Sequence, residues 1–96
     1  MNEINPTVQQ RIDGARQIAN YAVSEAKKAG IKFDNPPLWD NGDEMRARDK
    51  HVLRLFANGS YLDGIFPDEW LKDYPGRLGT ERTRRTIEDM IRDLSK

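Results

Sequence analysis

Apolar residues recur at alternating spacings of four and three from Val8 through Ile12, Ala15, Ala19, Ala22, Ala26 and Ala29. That spacing lays them in one stripe down a helix, with Ile18, Tyr21 and Val23 beside it. Asn5 is placed to cap this helix, and Pro6 suits its first position, where a missing N–H is no loss. Lys27 and Lys28 favour the negative end of the helix dipole. Gly30 is placed to close the helix in a left-handed conformation, with Ile31 folding back. The pattern predicts a helix over about 6–29. Its alanine stripe invites close approach of a facing helix, and Gly14 inside it costs about 1 kcal/mol relative to Ala.

Pro36-Pro37 forbids a helix across 31–41 and pushes Asn35 toward extended backbone. Phe33, Leu38 and Trp39 are expected to lie across the helices as a lid on the core. Asp40-Asn41-Gly42 is a turn signal. A second helix is predicted over about 42–57, with Asp43 and Glu44 in its first turn, Met45, Val52, Leu53, Leu55 and Phe56 on its buried side, and Asn58-Gly59 ending it. Glycine and proline punctuate 60–79. A short helix near 67–73 is opened by Pro67, anchored by Trp70 and Leu71 and stopped by Pro75. A last helix over about 81–94, capped by Thr80, has Ile87, Met90, Ile91 and Leu94 as its apolar face and Thr83 extending it. No strand-like alternation of useful length and no internal repeat is evident. The expected fold is all-α: a single helical domain over 1–96, a small bundle of three main helices with an irregular, aromatic-rich middle.

Composition sharpens this picture. Of 96 residues, 36% are apolar and 33% charged, so a thin core lies under a charged surface. Two tryptophans, three phenylalanines and three tyrosines with zero net charge argue against disorder. Sixteen Lys and Arg balance sixteen Asp and Glu, leaving no basic excess of the kind that grips bare nucleic acid. There is no cysteine, which removes disulfides, thiolate catalysis and most structural zinc sites. The first residues lack the basic start and apolar run of a signal peptide, and no stretch approaches the ~20 apolar residues of a membrane span. A cytoplasmic location is the expectation.

The residues also narrow the chemistry. His51 is the one histidine, read as an exposed residue of the second helix, and without a second His or a Cys zinc catalysis has no ligand set. Ser24, Ser60 and Ser95 sit in no glycine elbow, and neither a P-loop nor a dinucleotide fingerprint is present. Asp34, Asp40, Asp43 and Glu44 form an acidic segment, but their spacing does not match a calcium loop. The expectation is a chain that is not an enzyme and takes no metal or cofactor.

One feature resists a purely structural account. Arg77, Arg82, Arg84 and Arg85 gather at the start of the last helix, where the dipole disfavours positive charge. Arg84 and Arg85 are spaced for four-residue pairs with Glu81, Glu88 and Asp89. Alternatively, with Thr80 and the free N–H groups behind it, the four arginines form an anion-recognition site for a partner's carboxylates or a phosphate. Arg46, Lys50 and Arg54 make a second basic stripe, the alternative face for nucleic acid. Trp39, Tyr61, Phe66 and Trp70, with Tyr74, concentrate in the middle of the chain; they either complete the core or anchor a protein partner.

In its compact, cysteine-free, charge-dense character the chain resembles small accessory proteins of bacteriophages and mobile elements, a likeness of style that no motif carries. The function expected is a non-enzymatic protein-binding module that regulates or inhibits a larger protein or complex, using the arginine cluster and the aromatics. The alternatives are a nucleic-acid-binding regulator and a structural subunit that self-associates through the alanine stripe of the first helix.

Overall fold

A computed structural model of the chain describes residues 6–40, 49–76 and 79–95. The order of elements is α1 (Pro6–Lys28), β1 (Phe33–Trp39), β2 (Lys50–Ala57), β3 (Ser60–Pro67), α2 (Asp68–Asp73) and α3 (Thr80–Leu94). The fold is therefore mixed: a three-stranded antiparallel sheet in the order β1-β2-β3, with helices before and after it. The all-α bundle expected from the sequence is not what forms.

The terminal helices lie where the periodicity puts them. In α1, Ala15, Ile18, Ala22 and Ala26 are buried and Ile12 and Tyr21 pack against them. The expected cap, Asn5, lies outside the described residues. Gly30 adopts φ +74°. The Ile31 N–H reaches the Ala26 carbonyl (2.8 Å) and the Gly30 N–H reaches Lys27 (3.1 Å), the paired bonds of a Schellman close. Gly14 has a specific reason: a Cβ there would collide with the Leu71 carbonyl oxygen, so α1 and α2 meet backbone to backbone. In α3, Thr83, Ile87, Met90 and Ile91 are buried. The short helix α2 begins one residue after Pro67, which is its N-cap residue.

The middle of the chain departs from expectation. The predicted helix over 42–57 is replaced, within the described residues, by strand β2; residues 41–48, which include Asp43, Glu44, Met45 and Arg46, lie outside them. His51, Leu53, Leu55 and Ala57 point inward at a period of two, and Lys50, Val52, Arg54 and Phe56 point outward. Asn58 (φ 56°) and Gly59 (φ 73°) both take left-handed backbone, which makes them the two central residues of a tight hairpin rather than a helix stop. The β2–β3 register then runs unbroken from Ala57–Ser60 to Lys50–Pro67. Pro36 and Pro37 sit in β1, an edge strand with register shifts on either side of Asn35, where a missing N–H is tolerated.

Both long helices pack on one face of this sheet, α1 against β1 and α3 against β3, and they touch each other. Trp39 and Phe66, 5.6 Å apart edge to face, and Trp70, 6.4 Å from Phe66, link the sheet to the helices. The buried Trp39 indole donates to the Ala15 carbonyl at 3.1 Å. No helix among the described residues is long and apolar enough to cross a membrane.

Candidate functional site

The predicted arginine site is fanned out by the helix that carries it. Gly79, in left-handed backbone, is the N-cap of α3, and no side chain caps it; Thr80 is already helical. The Thr80 hydroxyl is buried and has no hydrogen-bond partner among the described residues. Arg84 turns toward α1, donating to the Tyr74 hydroxyl at 3.4 Å and lying 5.5 Å from the Tyr21 ring. Arg85 pairs with Glu81 at 3.8 Å, both exposed. Arg82 is exposed on a third face, and Arg77 lies outside the described residues. An open cleft of about 470 Å³ is lined by Gly76, Thr80, Glu81, Arg84, Arg85 and Glu88, so its two arginines are matched by two glutamates. Beside it Tyr21 donates to Glu88 at 2.8 Å. Burial first, then the carboxylates of Glu88 and Glu25, push its phenol well above the ordinary value.

The aromatics divide. Trp39 and Phe66 are buried in the core, with Trp70 packed against it. The indole of Trp70 fills the space a Cβ would need at Gly79, so it holds the start of α3 in place. Tyr61 alone of the four predicted anchors is exposed. The alanine stripe of α1 faces the core at Ala15, Ala22 and Ala26, so those residues are not offered to a second molecule.

What the structure brings together is the outer face of the sheet. On it the register places Leu38 beside Arg54 and Arg54 beside Asp63, Val52 beside Ile65, and Phe56 beside Tyr61. Leu38 is 53% exposed, Tyr61 55% and Ile65 58%, high values for large apolar side chains. At the centre Arg54 grips Asp63 with two hydrogen bonds, 2.8 and 3.0 Å, and lies 3.8 Å over the Tyr61 ring. The bonds from Arg54 hold the Asp63 carboxyl below its usual range. Of the alternative nucleic-acid face, Lys50 and Arg54 stand here; Arg46 is outside the described residues. Sequence reasoning named Lys50, Arg54 and Tyr61 separately. The dipeptide Asn58-Gly59 was the signal that could have joined them, since it folds β3 back on β2.

A second cluster was missed altogether. His51 is fully buried, not exposed, and its Nε2 lies 2.7 Å from Asp68 Oδ1. Arg11, also buried, donates to both Asp68 oxygens at 2.6 and 3.1 Å. Lys72 stands 3.6 Å away. Burial raises the Asp68 pKa, but hydrogen bonds from Arg11 and His51 outweigh it and hold the carboxyl below its ordinary value. Arg11, Asp68 and His51 together clasp α1, β2 and α2. No group of metal-ligating side chains occurs among the described residues. Comparison of the chain with protein-family models, with curated proteins and with solved structures finds no match.

Proposed function

We propose that this chain is a non-enzymatic binding module that docks another protein on the uncovered outer face of its sheet and thereby modulates a larger assembly. One observation carries the reading. Leu38, Tyr61 and Ile65, each more than half exposed, share a face that no described element covers. Large apolar side chains exposed together on one face, here around the Arg54–Asp63 pair, are characteristic of interaction surfaces. A tyrosine held rigid under an arginine is the type of anchor that dominates protein interfaces. The partner chemistry that fits is a protein surface with apolar groups placed for Leu38, Tyr61 and Ile65 around the Arg54–Asp63 pair, and a carboxylate placed for Lys50 at the rim. The chemistry for gripping a phosphate backbone is weaker here, because Arg54 is already committed to Asp63. A cytoplasmic setting belongs to the same proposal and is supported by the absence of cysteine.

Site-specific photocrosslinking in the native host tests it. A photoreactive residue at Leu38 should give a discrete protein adduct, and one at Lys27 on α1 should not. Adding Tyr61→Asp should abolish the Leu38 adduct while leaving the circular dichroism unchanged. Loss of this reading follows if Leu38 gives no adduct, or if Lys27 gives the same one.

A further inference from the structure

The two edges of the sheet are treated differently. On β1, Pro36 and Pro37 present no N–H and the register shifts twice, devices that blunt an edge against pairing. Strand β3 has none of these before Pro67. Its two-residue hairpin is closed by Ala57–Ser60, so the hydrogen-bonded pairs with β2 are Leu55–Leu62, Leu53–Gly64 and His51–Phe66. The Asp68 N–H to the Asp49 carbonyl, 3.0 Å, continues that series. Tyr61, Asp63 and Ile65 therefore direct their backbone N–H and C=O groups away from β2. Among the described residues no backbone group meets them.

Beneath this edge lies α3. Its flank toward α1 carries Arg84 and Glu88, which reach Tyr21. Its opposite flank, beside the open edge, carries Arg82, Thr86, Asp89 and Asp93 at spacings of four, three and four. The helix runs back along β3, with Met90 under Gly64, so the middle of this stripe lies close to Ile65. Arg82 stands at one end of the stripe and Asp93 at the other, with Asp89 between them paired to Arg92 at 2.7 Å.

We propose that β3 is a dimerisation edge: two copies of this chain join β3 to β3, antiparallel about a two-fold axis at Ile65, to make one six-stranded sheet. That axis sets Ile65 against its own copy and keeps the two Asp63 carboxylates apart. Below the sheet it brings Arg82 of one copy to Asp93 of the other, twice, as an isologous interface requires. A two-fold axis opposes the unlike ends of such a stripe, so a second copy of this chain carries the charge that complements it. This edge adjoins the sheet face proposed above and shares Ile65 with it, but the dimer rests on the β3 backbone and the α3 stripe and the docking face on Leu38 and Tyr61, so either can fail alone.

Sedimentation equilibrium with concentration-dependent amide exchange tests it. The wild type should pass from monomer to dimer as concentration rises. The Asp63 and Ile65 amides should become protected in step, while the Tyr61 amide, beyond the overlap, stays fast. Arg82→Glu should weaken the dimer at least about tenfold, and Arg82→Glu/Asp93→Arg should restore it; Leu38→Asp, on the outer face, should leave it intact. A chain that stays monomeric into the millimolar range overturns the proposal and leaves the edge to a strand from a different protein. So does a dimer whose Ile65 amide stays unprotected, or one indifferent to Arg82→Glu.

Discussion

Asp68 accepts hydrogen bonds from a buried guanidinium and faces a buried imidazole, and its own position at the start of α2 joins three segments of the chain. Its carboxyl is held below the ordinary value of 3.8 in the folded protein. A depressed folded pKa means that the stabilisation is complete above the unfolded value and is lost as pH falls through the folded one. Thermal midpoints should therefore be flat above about pH 5 and drop as pH falls below about 4. Asp68→Asn should remove that part of the acid dependence and destabilise by about 3 kcal/mol at neutral pH, because Arg11 is left buried and unpaired. Gly14 offers a second test at this scale. Helix propensity alone says that Gly14→Ala stabilises by about 1 kcal/mol. The Leu71 carbonyl stands where the methyl would go, so the variant should instead lose about 2–3 kcal/mol in denaturant titration.

At the scale of elements, the hairpin decides the middle of the molecule. Gly59 has open space around it, so its replacement is strained by backbone alone. Gly59→Ala should cost about 1–2 kcal/mol by thermal denaturation, and a D-alanine introduced there by synthesis should cost nothing. The helices at both ends were legible because their stripes are long and their stop signals local. Strand β2 was not, for reasons visible in its residues. Val52, Leu53, Leu55 and Phe56 are apolar on both faces, which erases the inside–outside contrast that marks a strand. His51 occupies an inward position that looks polar until Asp68 is placed beside it. The four-residue spacing of Lys50 and Arg54 imitates a helix face, although alternation puts them on one side of a strand equally well. What separates these readings is pairing with β3, and no local pattern contains it.

For the whole molecule, a core assembled on one side of a three-stranded sheet leaves the other side to be used or endured. A chain with 36% apolar residues cannot cover both. The candidate surface was hidden from sequence reasoning because its residues come from three strands and only the fold sums them. The arginines were conspicuous in sequence because they are adjacent, and adjacency on a helix is what sends side chains to different faces. The Asp68 clasp and the Trp39–Ala15 bond add a further consequence. They bind the opening helix to everything that follows it, so residues 32–96 lack part of their own interior when alone. Two separately made pieces, 1–31 and 32–96, should each show little structure by circular dichroism and recover the spectrum of the intact chain on mixing. The unit that evolution can duplicate, shorten or graft is then the entire span from the first helix to the last, and not the sheet by itself.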